Sequence, residues 1–322
     1  MHYMSFPLLD IKNLTVSFKT DTGFIKIISD LSFDIKKAEV FGIVGESGSG
    51  KSLTALSILR ILPPNSFAEG EIFFNKKNLL SLNETEMRDI RGKNISIIFQ
   101  EPMTSLNPVL TIGRQIREVF LAHFNISKKE AANGAIELLR SVKIPSPELR
   151  INEYPHQMSG GMRQRVMIAM AIACNPSLLI ADEPTTALDV TIQADILQLL
   201  QALRKEREMA ILLITHDLSI ISEQADKVAI MYAGRIMELA NAEELFINPL
   251  HPYTYGLLES LPVRRGALLK PIAGLVPSLD SFPEGCKFSD RCYQATDECR
   301  RLEPDLVEIS ENHFVRCITV KR

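Results

Sequence analysis

The 322-residue chain is long for one domain and short for two large ones, so a core of about 250 residues with an appendage is expected. Its net charge of −3, with 46% hydrophobic and 23% charged residues, provides no bulk basic field to attract nucleic acid. The apolar run Val166–Cys174 falls far short of the roughly 18 residues of a membrane-spanning helix. The N-terminus lacks a basic head followed by an apolar stretch, so we expect no signal peptide and a cytoplasmic protein.

The first part of the chain alternates apolar and polar residues, which predicts short strands at Leu9–Lys12, Leu14–Phe18, Ile25–Ile28 and Leu31–Ile35. Such strands are typical of an antiparallel sheet with one face in water. Val40–Val44 is instead a continuous apolar run, which indicates a strand buried on both faces. A glycine follows it, and a helical pattern then covers Ser52–Leu62.

Two further buried runs, Ser177–Ala181 and Ala210–Ile214, are also followed by polar residues and helical patterns. Alternation of this kind predicts an α/β fold with a parallel sheet and helices on both faces. Strand signals disappear from about residue 102 to 174, where we predict an inserted helical subdomain. Prolines become frequent and cysteines cluster from Asn248 onward. We therefore expect a core domain at 1–247 and a C-terminal extension at 248–322.

A glycine-rich segment lies between the predicted strand at Val40–Val44 and the helix that follows. It reads Gly45-Glu46-Ser47-Gly48-Ser49-Gly50-Lys51-Ser52 and matches G-x-x-x-x-G-K-[ST]. Glycines let consecutive backbone N–H groups point at one anion, and the helix aims its positive end at the same place. Lys51 can reach the β- and γ-phosphates, and the Ser52 hydroxyl can bind Mg²⁺. We therefore predict a phosphate-binding loop at Gly45–Ser52.

Ionisable residues directly follow the other two buried strands. Asp182 and Glu183 follow the first, and His216 stands two residues after the second. Ligands of open α/β sheets bind at the carboxyl ends of the strands. Asp182 suits a Mg²⁺-holding carboxylate, Glu183 a general base for the attacking water, and His216 a contact to the γ-phosphate. Solvated strand ends and a structural histidine are the alternatives, and the positions after buried strands favour function.

Ser159-Gly160-Gly161-Met162 precedes a strong helical pattern and forms a second helix N-terminus suited to an anion. Two such sites make sense if two subunits face head to tail, each closing the nucleotide site of the other. With the motifs above, the chain resembles the ATP-binding cassette (ABC) family over essentially its whole length. The resemblance implies a P-loop NTPase (RecA-like) core, an antiparallel β subdomain, an inserted helical subdomain and a small Cys-rich C-terminal extension.

The resemblance also implies a role for each motif. Gly45–Ser52 is identified as the Walker A loop, Asp182 and Glu183 as the Walker B pair, and His216 as the switch histidine. Ser159–Met162 is similar to the signature motif, with Met162 in place of the usual glutamine, and Ala187–Asp189 is similar to the D-loop.

Two further assignments concern the nucleotide's surroundings. Gln100 corresponds to the Q-loop glutamine, which contacts Mg²⁺ and follows the membrane partner. An aromatic ring before the Walker A loop is expected to stack on adenine, with Phe18 the first choice and Phe24 the second. Both side chains could equally belong to the core of the sheet.

Three stretches are more specific, namely Gln100–Pro108, Asp182–Ala194 and His251–Thr254. They resemble the D-type ATPase subunits of dipeptide and oligopeptide importers, which are close relatives of nickel importers. The resemblance implies ATP and Mg²⁺ as cofactors and a peripheral position on the cytoplasmic face of the membrane. It also implies a second ABC ATPase as a heterodimer partner, two transmembrane permease subunits and an extracytoplasmic substrate-binding protein, with no nucleic acid. A nickel importer, or a soluble ABC ATPase without a transport role, is the alternative.

Four of the five cysteines lie near the C-terminus with the spacing C-x₅-C-x₆-C-x₁₇-C. They are Cys286, Cys292, Cys299 and Cys317. In a cytosolic protein such clustering points to metal or cluster ligation before disulfides. The C-x₂₋₄-C pairs typical of zinc sites are absent from this sequence, so a [4Fe–4S] cluster is the sharper hypothesis. The alternatives are structural zinc and four reduced thiols.

Overall fold

The computed structural model describes residues 6–21, 23–101, 105–186, 188–261, 272–275, 277 and 282–320. The strands in these residues are β1 (Leu9–Thr20), β2 (Gly23–Ile35), β3 (Val40–Val44), β4 (Ser66–Phe74), β5 (Lys77–Asn78), β6 (Ile95–Ile98), β7 (Leu178–Asp182), β8 (Ala210–Thr215), β9 (Lys227–Tyr232), β10 (Arg235–Asn241), β11 (Val307–Ser310) and β12 (His313–Val315). Several of them, such as β1, β2 and β9, are rich in the β-branched or aromatic residues that favour strands.

The α-helices in the same residues are α1 (Lys51–Ile58), α2 (Glu84–Ile90), α3 (Ile112–His123), α4 (Lys128–Ser141), α5 (Pro147–Arg150), α6 (Gly160–Ile172), α7 (Val190–Arg207), α8 (Leu218–Gln224), α9 (Ala242–Ile247), α10 (Pro252–Glu259) and α11 (Asp297–Arg301). Short 3₁₀ turns occupy Leu79–Ser81 and Pro155–Gln157. No helix in the part of the chain described above is both long and apolar enough to cross a membrane.

The chain divides into two compact units, one formed by Met1–Ser81 with Leu213–Arg322 and the other by Leu82–Leu212. The first unit contains a four-stranded sheet in the order β2-β1-β4-β5, and its three longer strands pair antiparallel. Leu9, Ile11, Leu14 and Val16 are buried, which gives β1 the single apolar face that its alternation predicts.

The predicted break between Leu9–Lys12 and Leu14–Phe18 is wrong, because both segments belong to one strand, β1. The register between β1 and β4 shifts between Lys12 and Thr15, and Asn13 adopts φ 51°. A β-bulge therefore lets the strand continue through polar residues that resemble a turn. Opposite the bulge, a Cβ on Gly70 would lie 2.6 Å from the carbonyl oxygen of Asn13, so the close approach requires glycine.

A second sheet region in the first unit has the strand order β11-β12-β10-β9-β3. β3 and β9 are parallel, whereas β9, β10, β12 and β11 pair antiparallel in succession, so this region is mixed. The C-terminal segment supplies its last strands, with Val315 of β12 opposite Glu238 of β10. The predicted parallel sheet thus describes only part of this unit.

The second unit pairs β6 and β7 in parallel, with Ile98 opposite Ala181. Between residues 105 and 174 the described chain forms helices and no strand. The sequence predicts an inserted helical subdomain over this stretch, and the first residues of that prediction, 102–104, lie outside the described residues. Serine or threonine hydroxyls accept backbone N–H groups at the start of α3, α4 and α6, which fixes where these helices begin.

Candidate functional site

The Gly45–Ser52 loop connects β3 to α1, so it lies at the carboxyl end of a buried strand and leads into a helix N-terminus. Lys51 is buried, and its Nζ donates to the carbonyl oxygens of Gly45 (2.8 Å) and Glu46 (3.0 Å). Gly48 and Gly50 have φ of 79° and 100°, values that favour glycine. The loop thus has the backbone of an anion-binding nest, with an ammonium group fixed beneath it.

The remaining members of the loop differ in exposure. Ser47 and Ser52 are exposed to solvent, whereas Ser49 is buried. Ser49 Oγ has no hydrogen-bond partner among the described residues, although its backbone carbonyl accepts the N–H of Gly234 at 3.0 Å. A buried hydroxyl without a protein partner suits a site that binds a polar ligand.

Two residues far along the chain contact this loop. The N–H of Glu46 donates to the hydroxyl of Tyr253 (3.2 Å), and Arg291 forms two hydrogen bonds to the Glu46 carboxylate (2.6 and 3.1 Å). Tyr253 belongs to the His251–Thr254 stretch singled out in the sequence, but its contact with the loop was not predicted. Arg291 has no motif signal, because nothing in its local sequence distinguishes it from other surface arginines.

Gln100 and Glu183 meet in the second unit. Gln100 Nε2 donates to Glu183 Oε2 at 2.9 Å, and the Thr186 hydroxyl donates to the same oxygen at 2.8 Å. Glu183 directly follows β7 and has φ 46°, a strained conformation for a glutamate, of the kind found at active sites. Two donors therefore hold one carboxylate oxygen in a fixed position at the strand end.

The other two strand-end residues differ in burial. Asp182 is the last residue of β7 and only 6% of its surface is exposed. His216 directly follows β8 and is exposed, and Asp217 after it accepts the N–H of Ser219 (2.8 Å) at the start of α8. Asp182 is therefore shielded from solvent, whereas the exposed imidazole of His216 can meet a ligand.

The Ser159–Met162 motif forms the start of α6. The Ser159 hydroxyl accepts the N–H of Met162 at 3.3 Å, a bond that is independent of the side chain at position 162. A Cβ on Gly161 would lie 2.9 Å from Cγ2 of Ile192 on α7, so this glycine permits close packing of the two helices. Further along α6, Gln164 Nε2 donates to the carbonyl oxygen of Pro184 (2.6 Å), next to Glu183.

The D-loop assignment includes Ala187, which lies outside the described residues. Its last member, Asp189, begins α7 by accepting the N–H of Ile192 at 2.9 Å. Of the two aromatic candidates for adenine, Phe18 is half-buried in β1, whereas Phe24 is 63% exposed. Phe24 packs edge-on against Phe67 with 5.5 Å between ring centroids, so the exposed aromatic surface belongs to this pair.

The four C-terminal cysteines are free thiols that line one small cavity together with His251 and Ser289. Burial raises the pKa of the Cys286 thiol to about 11, and the other three cysteines add to the shift. Among the described residues no three His, Cys, Asp or Glu side chains form a group that could hold a metal ion. The described residues therefore contain no preformed metal site for the predicted cluster, although the four cysteines expected to bind it line the same cavity.

Comparison with known proteins matches residues 28–186 to the family model described as ABC transporter. Residues 237–299 match the oligopeptide/dipeptide transporter, C-terminal region. The oligopeptide transport ATP-binding protein of Bacillus subtilis is 49% identical over 96% of this chain and 88% of its own length. The dipeptide transport ATP-binding protein of the same organism is 49% identical over 96% and 94%. A probable peptide ABC transporter ATP-binding protein of Sinorhizobium fredii is 50% identical over 96% and 94%.

Two solved structures support the same fold. An ATP-binding cassette solved as a dimer in a post-hydrolysis state with ADP and Pi has a TM-score of 0.65 and 29% identity, covering 73% of this chain and 98% of that chain. The cbiO1 protein of Clostridium perfringens, part of an ABC transporter complex, has a TM-score of 0.65 and 26% identity, covering 76% and 92%.

These matches define the class of the protein. The chain belongs to the ABC transporter family and has the α/β cassette fold with mixed sheets. It is an ATP-hydrolysing enzyme of that family, and ATP with Mg²⁺ is its nucleotide ligand.

Proposed function

We propose that this chain is the ATPase subunit that drives a multi-subunit importer of di- or oligopeptides. The observation that carries the proposal is that one chain joins the cassette to the oligopeptide/dipeptide C-terminal region. Tyr253 in that region accepts a hydrogen bond from Glu46, which supports a connection between the region and the Gly45–Ser52 loop. The relatives named for peptide transport, which match nearly the whole chain, support the same cargo class.

In this proposal the Gly45–Ser52 loop binds the phosphates of ATP, with Lys51 neutralising their charge. The Ser52 hydroxyl, Gln100 carboxamide and Asp182 carboxylate would hold Mg²⁺, which prefers such oxygen ligands. The burial of Asp182 supports this role, because a buried carboxylate fits a site where a cation binds. Mg²⁺ when bound would balance negative charge on the phosphates. The adenine ring would stack on Phe18 or on the more exposed Phe24.

Glu183 is proposed as the general base that accepts a proton from the attacking water. The bonds from Gln100 and Thr186 to one of its oxygens fix the carboxylate at the end of β7. His216 would contact the γ-phosphate. Ser159, Gly160 and Gly161 would present the N-terminal end of α6 to the nucleotide of a partner ATPase, since first-turn N–H groups and the helix dipole favour an anion there.

The proposed assembly is a heterodimer with a second ABC ATPase, bound to two permease subunits and served by an extracytoplasmic substrate-binding protein. This chain would then lie peripherally on the cytoplasmic face of the membrane. The cassette would span 1–247, with its helical subdomain at about 102–174, and the C-terminal extension would span 248–322. Gln100 would change position with the permease helices, so that its bond to Glu183 links permease movement to hydrolysis.

ATPase stimulation tests the cargo. In the complex reconstituted with its binding protein, we expect a saturating dipeptide or oligopeptide to raise the ATPase rate several-fold, and nickel to leave it unchanged. The control is the same complex without binding protein, which should not respond to peptide. Stimulation by nickel alone would assign the chain to nickel import. An ATPase that binds no permease would favour the soluble, non-transport alternative.

We also propose that Cys286, Cys292, Cys299 and Cys317 bind a [4Fe–4S] cluster. Their shared cavity supports this, as does Ser289, whose buried Oγ has no hydrogen-bond partner among the described residues and can donate to a cluster sulfur. The cavity measures only about 10 Å³, so the thiols would have to move apart to admit a cluster. A bound cluster would cross-link the C-terminal segment.

Metal analysis tests the cluster. We expect about four irons and four sulfides per chain after anaerobic purification, because four thiolates complete a [4Fe–4S] cluster. Cys299→Ser should lose most of this iron, whereas Cys174→Ser should keep it, since Cys174 lies in the other unit, outside the cavity. Zinc without iron would reject the cluster, and the absence of both metals would leave four reduced thiols.

A further inference from the structure

Glu46, the second residue of the phosphate loop, is held by the C-terminal part of the chain from two sides. Its backbone N–H donates to Tyr253, 207 residues away in sequence, and its carboxylate binds Arg291, 245 residues away. Glu46 is also the internal anchor of the loop, because its carbonyl oxygen accepts both the Ser49 N–H (3.2 Å) and Lys51 Nζ (3.0 Å). A displacement of Glu46 would therefore disturb one of the bonds that hold Lys51.

The side chain of Arg291 is buried and is held by several neighbouring groups. Only 6% of this side chain is exposed, against 26% for Glu46. Its guanidinium lies over the rings of Tyr232 (5.7 Å) and Phe288 (6.0 Å), and its Nε donates to the carbonyl oxygen of Ala273 at 3.0 Å. Burial opposes the charge of Arg291, but the hydrogen bonds with Glu46 and Tyr232 outweigh it, so the pKa is raised and the cation is retained.

Tyr253 belongs to the same arrangement. It is fully buried at the start of α10, where its own N–H donates to His251 Nδ1 at 3.0 Å. Its ring packs edge-on against Tyr232 at 4.9 Å and lies tilted against Phe288 at 5.1 Å. Burial and then the Glu46 charge raise the pKa of Tyr253, so its hydroxyl stays neutral. The rings that flank Arg291 thus also fix Tyr253.

The ion pair between Glu46 and Arg291 affects the charge of the loop that binds ATP in this proposal. Glu46 places a carboxylate in a loop that binds a polyanion, and an uncompensated carboxylate there would repel the nucleotide. The bidentate bond to Arg291 balances that charge and turns the carboxylate toward the C-terminal segment. Arg291 directly precedes Cys292, so the segment that carries the cysteines also provides this cation.

We propose that Arg291 is a positioning residue for ATP binding, which neutralises and orients Glu46 so that the four-cysteine segment sets the affinity of the phosphate loop. The inference rests on the proposed assignment of Gly45–Ser52 as the ATP site. The C-terminal region would then influence the nucleotide site of the cassette, because disruption of the four-cysteine segment would weaken nucleotide binding through Arg291.

The test is equilibrium binding of a non-hydrolysable ATP analogue with Mg²⁺ to the full-length chain. We expect Arg291→Ala to raise the Kd about tenfold and Arg291→Lys, which keeps the charge without the fork, about threefold. The decisive variant adds Glu46→Gln to Arg291→Ala. Removal of the carboxylate should restore most of the lost affinity, which a general structural defect would not permit. Arg300→Ala is the matched control in the same segment, because Arg300 is exposed and bonds only to Asp290 among the described contacts, and its Kd should stay within about twofold.

An unchanged Kd in Arg291→Ala would overturn the inference, as would a loss that Glu46→Gln does not relieve. If Arg291→Ala fails to fold, the same decision comes from Arg291→Lys with and without Glu46→Gln. Lys51→Ala distinguishes a failure of the positioning role from a failure of the proposed ATP site. A chain that binds ATP equally well without Lys51 would contradict the proposed ATP site itself. Loss of binding in Lys51→Ala with no effect of Arg291 substitutions would contradict only the positioning role.

Discussion

Glu183→Gln should abolish ATP turnover while nucleotide binding survives. Glutamine has the size of glutamate and can still accept the hydrogen bond from Gln100, which is 2.9 Å in the wild type, so the strand end keeps its structure. The amide cannot accept a proton from the attacking water, and loss of a general base lowers the rate by about 10²- to 10⁴-fold. The measurement is steady-state ATPase activity of the purified complex beside the Kd of Mg²⁺-ATP.

Glu206→Gln serves as the control, because Glu206 is an exposed residue near the end of α7 and the change removes the same charge. Its turnover should equal that of the wild type. Wild-type turnover in Glu183→Gln would rule out the general-base role, and a parallel loss of ATP binding would assign Glu183 to binding instead of to chemistry.

Lys51→Ala should raise the Kd for ATP by at least about a hundredfold, because charge-assisted bonds to two phosphates are lost together. The substitution also removes the bonds from Nζ to the carbonyl oxygens of Gly45 and Glu46, which hold the loop in its folded conformation. Equilibrium binding of a labelled ATP analogue to the full-length chain provides the Kd.

Thermal unfolding of the same samples separates loop collapse from loss of the charge. Lys51→Met, which retains an apolar stem, should show the same weak binding with less effect on stability. Lys37→Ala changes an exposed lysine in the same unit and should bind ATP like the wild type. Affinity preserved in both Lys51 variants would contradict the assigned phosphate loop.

Local patterns predicted those parts of the fold that local chemistry determines. The apolar run Val40–Val44 is a fully buried strand, and the glycine-rich loop after it leads into α1. The structure starts this helix at Lys51 and ends it at Ile58, earlier than the predicted Leu62, because Arg60 adopts φ 52°. Helix ends depend on such single-residue conformations, which a hydrophobic pattern does not encode.

Strand continuity and partner choice were harder to predict. β1 runs through the polar residues Lys12 and Asn13 by means of a bulge, a feature that depends on Gly70 in another strand. β12 has only three residues, and its pairing with β10 joins positions such as Val315 and Glu238 across a long stretch of chain. No local periodicity marks a strand that exists because another strand lies beside it.

The site residues divide in the same way. Glu183 and Ser159 were predicted from their places in motifs and Gln100 from the family resemblance, and the structure adds the bond between Gln100 and Glu183. Arg291 has no such signal, because its role depends on Glu46, which lies 245 residues earlier. Burial and pairing of a cation become visible only once the C-terminal segment is folded.

Uptake of a labelled peptide tests the central claim most directly. Cells whose only copy of this chain is the wild type, Glu183→Gln or Glu206→Gln would be supplied with labelled dipeptide and, separately, with labelled nickel. We predict that Glu183→Gln abolishes dipeptide uptake and leaves nickel uptake intact, while Glu206→Gln behaves as the wild type. Loss of nickel uptake alone would contradict peptide import, and loss of neither would contradict a transport role for this ATPase.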